Sequence, residues 1–366
     1  MTDCNPENER IKREYFHWCD KAKGMSLVTI GHAGRAVRQY EVFTSHKSFK
    51  TFDHKQATAF CAHLAEDDSA TTGNPLSVST RNSTLALVRA FFRWLASRPG
   101  YRQAIRDSDT DYLSVNRRER AIALHREEPK PFPSCDQAVQ VLRTHPTATD
   151  LDLRDRALIA FMLLTCARVD SVRSLKLKHL DLEGNSAFLD ATEVSTKRSK
   201  TFTIWFFPVD PLVRSIFADW VGYLRDKVGF GDDDPLFPAT AQVVGHNLQF
   251  TNDGLSRRQW KTTDPIRNIL KRRLMDAGQP YYHPHLFRKT IGQLGLQLCK
   301  TPELFKVWSQ NMGHDEVLTT LTSYCAVPAE RHAQIMRELG TGKGTDADFN
   351  GDLDAMQGCI DKMRRG

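Results

Sequence analysis

Apolar positions recur at three- and four-residue intervals along most of this chain, and only one short stretch alternates instead. The first pattern predicts helices and the second a half-buried strand. From Val28 to Thr44, the residues Val37, Tyr40 and Val42-Phe43 keep helical spacing, as do Ala57, Phe60, Cys61 and Leu64 after Asp53. The clearest stripe, Leu85, Val88, Phe91, Phe92 and Leu95, begins near Ser79-Thr80 and is stopped by Ser97-Arg98-Pro99-Gly100. Its adjacent phenylalanines read as core rather than as a platform for stacking bases. Ser134 opens a helix with Ala138, Val139 and Leu142 apolar, and a strongly apolar helix runs from Leu158 to Thr165, ending at Cys166-Ala167-Arg168. A short helix through Val172 and Leu175 follows. Then Phe202, Ile204 and Phe206 alternate with Thr201, Thr203 and Trp205, which reads as a strand paired with Phe188-Leu189. The polar run Ser195-Thr196-Lys197-Arg198-Ser199-Lys200 forms the tip between them. Beyond that the pattern is helical again, broken at Asp232 to Pro235 and at Pro280 to Pro284, with no internal repeat. The fold class expected is mainly α with one small antiparallel β-sheet (α+β).

Breaks in the pattern set the divisions. At 366 residues the chain exceeds what one small core organises. Polar Asp107 to Asp111, charged Arg117 to Arg120 and the extended Lys130-Pro131-Phe132-Pro133 mark a connection. The expected division is an N-terminal segment 1–25, a helical domain 26–108, a linker 109–133, a larger domain 134–340 and a tail 341–366. Gly340-Thr341-Gly342-Lys343-Gly344 is a spacer, and Leu353, Met356, Ile360 and Met363 then make a one-sided stripe on a short tail helix. Packing on its own domain and docking on a neighbour suit that stripe almost equally.

Composition narrows the partners. No run approaches 18 apolar residues, so no membrane span is expected, and the N-terminus carries no secretion pattern. Eight cysteines are scattered with no CxxC pair, which argues against a zinc site or a disulfide framework and suits a reducing cytoplasm. The net charge of +7 favours a polyanion weakly. Its concentration says more: from Arg257 to Arg273 seven cations face one acid, Asp264. Taken alone, that run is as well explained by a solvated helix face.

The chemistry sits in a scattered set: Arg168, Lys197, His285, Arg288, His314 and Tyr324. Cations can neutralise a phosphodiester, a phenol can attack it, and a lysine can protonate the departing sugar oxygen, with no metal ligand set needed. His285 and Arg288, three apart at a helix start, share one face, and Pro284 ahead of them suits a first turn that favours an anion. Each residue alone has an ordinary explanation. Their order does not.

In order and in local text the chain resembles the tyrosine recombinase/integrase family, whose members include phage integrases. Thr165-Cys166-Ala167-Arg168-Val169 resembles the family's T-G-x-R-(I/V) box, and His285-Leu286-Phe287-Arg288-Lys289 its H-x-L-R-(H/K) box. Asn311-Met312-Gly313-His314 resembles L-G-H, and Leu318 to Tyr324 resembles T-T-x-x-Y. The likeness covers roughly 134–340; the first third is similar to the family's core-binding domain only in length, helicity and basic character. It implies that Tyr324 attacks the scissile phosphate, giving a 3′-phosphotyrosyl link and a free 5′-hydroxyl. Arg168 and Arg288 would grip the nonbridging oxygens, and His314 would add a third donor. His285 would handle the tyrosine proton, and Lys197 would protonate the leaving oxygen. Neither cofactor nor metal is implied. The expected partner is a double-stranded DNA recombination site, bound by a homotetramer that is monomeric when free, with an accessory DNA-bending protein, in the cytoplasm beside the nucleoid. Arg81, Arg89, Arg93, Lys200, Arg257, Arg258 and Lys261 are the expected DNA contacts. A type IB topoisomerase-like enzyme that relaxes DNA, or a silent DNA-binding relative, are the alternatives. Three departures stand out. Ser171 occupies the family's acid position with Asp170 beside it, His314 and Tyr324 are ten apart, one more than is commonest, and Lys200 competes with Lys197.

Overall fold

The computed structural model describes residues 5–68, 73–126, 131–244, 250–324 and 329–340, with backbone alone at 124–126, 243–244, 250–253, 323–324, 329–331 and 339–340. It divides into two compact units, 1–128 and 129–366. The tail stripe Leu353–Met363 lies outside the described residues.

In the first unit, α1 (Pro6–Lys21), α2 (Leu27–Phe43), α3 (His54–Glu66), α4 (Val78–Ala96) and α5 (Arg117–Arg126) follow one another. Side-chain caps fix four of their starts: Asn5 accepts from Glu7 N and Asn8 N, Ser26 from Thr29 N, Asp53 from Gln56 N and Ser77 from Thr80 N. The stripe on α4 is the centre of the core, as its spacing predicts. Phe92 stacks on Phe52 at 3.9 Å between ring centroids and meets Tyr40 edge-on at 4.9 Å.

Two divisions expected from the sequence need correction. The segment 1–25 is not an appendage, because Ile11, Tyr15 and Cys19 of α1 are buried in this same core. Asn8, also buried, donates to Glu41 and to Lys47 O, so α1 is held by polar bonds as well. The linker 109–133 is not open chain throughout either. A 3-10 turn at Asp107–Tyr112 and α5 occupy much of it, and Leu113 and Val115 pack into the core. Charge hid these residues, since two buried positions give no periodicity.

The second unit is built around α7 (Asp150–Thr165), preceded by α6 (Cys135–Thr144), whose start is a reciprocal Ser134–Gln137 capping box. Every residue of α7 from Ala157 to Thr165 is buried, so it is a central helix rather than an amphipathic one. After α8 (Val169–Ser174), strands β1 (Leu180–Asp181), β2 (Ser186–Leu189) and β3 (Phe202–Trp205) form an antiparallel sheet in that order. Its register pairs Ala187 with Ile204 and Leu189 with Phe202. Then come α9 (Pro211–Asp226), β4 (Thr240–Val244), β5 (Phe250–Leu255), α10 (Asp264–Asp276), α11 (Pro284–Leu298), α12 (Pro302–Asn311), α13 (Val317–Tyr324) and α14 (Ala329–Gly340).

The β4–β5 pair is a second antiparallel sheet where the sequence suggests one sheet only. Asn252, Asp253 and Gly254 suit strands poorly, so β5 depends on its pairing with β4, which includes a register shift near Thr240. Part of the cationic run after it is also tied into the fold. Buried Asp155 of α7 accepts from Arg154 at 2.8 Å, Arg272 at 2.6 Å and Arg273 at 3.2 Å. This cluster binds α10 to α7. At Gly295 the packing of α11 on α12 is so close that an added Cβ would stand 2.5 Å from Trp308 Nε1.

Candidate active site

The junction after α7 decides where the first arginine goes. Cys166 caps α7 in the left-handed region (φ 54°), turning the chain so that Arg168 becomes the N-cap of α8. That conformation costs a non-glycine residue about 1–2 kcal/mol. It is offset by burial, since Cys166 packs with Phe207, Ile291, Trp308 and Met312. Burial pushes its thiol pKa up. The thiol is packing; the carbonyl is what the site uses.

That carbonyl accepts from Arg288 Nη1, and Met312 O accepts from Arg288 Nη2 at 2.7 Å. Arg288 is buried, so two backbone carbonyls satisfy and aim a cation that water does not reach. His314 Nε2 lies 2.8 Å from the same Nη2, and His314 Nδ1 lies 2.7 Å from Thr320 Oγ1. Thr320 continues to Ser309 Oγ at 2.7 Å. Gly313 makes the tight entry to this row at φ 73°, where a Cβ would stand 2.8 Å from Phe202.

Arg168, Lys197 and His314 share the wall of one cavity of about 260 Å3, together with Arg198, Lys200 and Thr319. Burial, Arg288 and Arg168 hold His314 down to a pKa of about 3. His285 keeps an exposed edge, yet partial burial of its ring and the same two arginines bring it to about 4. Both rings are therefore neutral at pH 7 in a site crowded with cations. That is the electrostatic signature of an anion site.

The lysine loop is anchored from α8. Ser171 Oγ donates to Ser195 O at 2.9 Å, Ser195 N donates to Ser174 Oγ at 2.8 Å, and Arg173 reaches Ser195 Oγ at 3.3 Å. Ser171 at the acid position thus clamps the backbone two residues before Lys197, while exposed Asp170 pairs with Arg173 at 3.8 Å. Lys200 is held by Asp315 at 2.6 Å. Among the described residues no hydrogen bond or ion pair holds Lys197.

The comparisons with known proteins fit this geometry. The phage integrase family model matches residues 134–331, and the phage integrase N-terminal SAM-like domain model matches 13–99. The chain belongs to the phage integrase family. It is a site-specific DNA recombinase, an enzyme that breaks and rejoins DNA. Among solved structures, the recombinase is similar in fold to the Tn1549 transposon integrase in complex with transposon right-end DNA. That match has 16% identity and a TM-score of 0.59, and covers 90% of this chain and 99% of the other. XerH site-specific recombinase bound to palindromic difH substrate gives 15% identity and a TM-score of 0.56, covering 88% of this chain and 83% of the other. A lambda integrase dimer bound to a core site gives 9% and 0.56, covering 86% and 94%. No curated protein matches the chain by sequence.

Other residues expected in the recombinase site fared unevenly. Tyr324 ends α13, and its side chain lies outside the described residues. Arg81 is ion-paired with Glu119, and Arg93 with Asp111 at 2.5 Å, both partners lying in the helical unit. Arg257 is bound by Asp234 and Gly229 O and lies over the Phe230 ring at 4.7 Å. Arg89, Arg258 and Lys261 have no ion pair among the described residues. Sequence reasoning missed Phe202, Asp315, Ser309 and the bonding role of Thr320. Only Thr320 left a signal, as part of the T-T-x-x-Y text.

Proposed function

We propose that this recombinase integrates or excises a mobile element through a 3′-phosphotyrosyl intermediate formed at Tyr324. The observation that carries the reading is one cavity lined by Arg168, Lys197 and His314 and backed by buried Arg288. The phenol oxygen of Tyr324 bonds to phosphorus as the P–O5′ bond breaks. Its proton passes to His285, and Lys197 delivers a proton to O5′, leaving a free 5′-hydroxyl. Attack by a 5′-hydroxyl from the partner strand reverses each step. The phosphotyrosyl ester keeps the bond energy, so ATP is not required. A docked phosphodiester brings negative charge against the arginines, which raises both histidine pKa values and lets them donate. The test is a nicked suicide duplex whose 5′ product diffuses away. A covalent protein–DNA adduct is expected, and its absence on DNA carrying the element's own ends would defeat the reading.

Lys197→Ala is expected to slow cleavage of ordinary DNA, and a 5′-bridging phosphorothiolate is expected to restore most of the rate. A thiolate leaves without a proton, so rescue isolates the acid role. Lys200, bound by Asp315, is the weaker candidate. Rescue of Lys200→Ala but not of Lys197→Ala would reverse the assignment.

Arg89, Arg258 and Lys261 are the proposed phosphate contacts outside the cavity. Each phosphate contact made releases counterions and steepens the salt dependence, with a log–log slope of about −0.9 per phosphate. Arg258→Ala with Lys261→Ala should therefore flatten the slope, while Arg257→Ala should cost stability instead, because its guanidinium ties Asp234 to Phe230. Titrations at several salt concentrations decide this, and an unchanged slope removes the pair from the interface.

The proposed assembly is a monomer in solution and a homotetramer on paired DNA sites, helped by a DNA-bending protein. The tail would dock on a neighbouring copy. Trp205, Leu298, Leu304 and Val307 line a mainly apolar groove of about 690 Å3 that suits the Leu353–Met363 stripe. Deletion from Gly344 onward should impair assembly on two-site DNA more than binding to one site. Equal loss on both, in a gel shift, would place the stripe on its own domain.

A further inference from the structure

Three elements meet at one row of polar atoms: Arg288 on α11, Ser309 on α12 and Thr320 on α13, with His314 between the last two. All four side chains are buried, at 3%, 0%, 0% and 5% exposure respectively for Arg288, Ser309, Thr320 and His314. The direction of both histidine bonds follows from chemistry. Arginine has no acceptor, so at 2.8 Å from Arg288 Nη2 the His314 Nε2 must accept. The ring proton of neutral His314 is then on Nδ1, which donates to Thr320 Oγ1 at 2.7 Å. Thr320 in turn shares a hydroxyl–hydroxyl bond with Ser309 Oγ at 2.7 Å, in which either oxygen can donate. Free imidazole has no such enforced choice. Here Arg288 imposes it, and Thr320 supplies the acceptor for the resulting Nδ1–H.

Thr320 stands one helical turn ahead of Tyr324 on α13. Its neighbours Val317 and Leu321 pack only in part against the small cluster of Ile291, Phe305 and Trp308. The hydroxyl bonds to His314 and Ser309 are therefore the directional ties between this short helix and the arginine floor. Apolar contacts alone would let α13 slide or roll.

We propose that Thr320 is a positioning residue for strand cleavage: its hydroxyl accepts the Nδ1–H of His314, holds the ring with Nε2 toward Arg288, and ties the helix ending in Tyr324 to the arginine floor. With Nδ1–H committed to Thr320, Nε2 is the one ring atom that faces Arg288 and the phosphate. When a phosphodiester docks, Nε2 is where His314 gains the proton that it donates. Without Thr320 that bond is lost, so the ring can turn out of the row, and only then is its single proton no longer confined to Nδ1. The inference rests on the reading of this cavity as a phosphoryl-transfer centre.

The test uses the full chain as wild type, Thr320→Val, Thr320→Ser and Ser309→Ala. Imidazole nitrogen NMR of the DNA-free protein, with His314→Gln to assign the resonances, reads the tautomer directly. Single-turnover cleavage of a nicked suicide duplex and equilibrium DNA binding are measured beside it. The wild type is expected to carry Nδ1–H. Thr320→Val should lose that signature and cleave roughly 10- to 100-fold more slowly, while binding DNA within about threefold. Thr320→Ser should restore both tautomer and rate, and Ser309→Ala should keep the tautomer because Thr320 still accepts. An Nε2–H tautomer in the wild type overturns the proposal without any variant having to fold. So does a Thr320→Val enzyme that cleaves within about threefold of wild type. A wild type that never forms an adduct, yet shows the Nδ1–H signature that Thr320→Val loses, would instead fault the functional reading and leave the Thr320–His314 bond standing.

Discussion

Tyr324→Phe is expected to leave specific DNA binding nearly unchanged and to abolish the covalent protein–DNA adduct. The substitution removes one oxygen and no proposed phosphate contact, since the proposed grip on the anion is Arg168, Arg288 and His314. Among the described residues, the cavity wall carries one side-chain hydroxyl, that of Thr319. It is an aliphatic alcohol, far less acidic than a phenol and so the weaker nucleophile at neutral pH. The measurement is an adduct on nicked DNA resolved under denaturing conditions, with affinity taken from a parallel gel shift. An adduct that persists in the Phe variant would make another residue the nucleophile and overturn the assignment of the whole C-terminal motif.

Arg168→Ala and Arg288→Ala should both cost cleavage heavily but differ in what else they cost. Removing one preorganised donor from a comparable oxyanion site costs roughly 10²–10³-fold in rate. Arg168 is half-buried at the start of α8, so its loss should show almost entirely in single-turnover cleavage. Arg288 is buried and holds Cys166 O, Met312 O and His314 Nε2. Its truncation leaves buried acceptors unpaired, at about 1–3 kcal/mol each. Arg288→Ala should therefore lower the denaturation midpoint clearly, whereas Arg168→Ala should shift it little. Cleavage within about threefold of wild type in either variant would remove that residue from the site. An unaltered midpoint in Arg288→Ala would mean that the carbonyl bonds do not support the fold.

The two units differ in how openly the sequence declares them. In α4 the stripe from Leu85 to Leu95 repeats often enough for its period to identify both helix and buried face. By contrast α1 buries only Ile11, Tyr15 and Cys19 as apolar side chains among many charges, so its membership of the core is decided by partners far along the chain. The β5 strand is the extreme case. Its Asn252-Asp253-Gly254 opposes a strand locally, and the β4 ladder overrides that preference.

By itself the sequence determined the mainly α class, the apolar central helix, the sheet around Phe202 to Trp205, and the chemical kinds of residue in the site. It did so because periodicity and short motifs are local, surviving in the order of residues along the chain. Only the tertiary structure decided which cations are available. The run Arg257 to Arg273 looks uniformly basic as text, yet Asp155 and Asp152, more than a hundred residues earlier, hold Arg272 and Arg273. Asp315 holds Lys200 in the same way, leaving Lys197 as the hairpin cation without an ion pair among the described residues. The bond row from Arg288 through His314 and Thr320 to Ser309 was likewise invisible. Hydrogen bonds depend on distances of a few ångströms between side chains from different helices, and nothing in residue order encodes such distances directly.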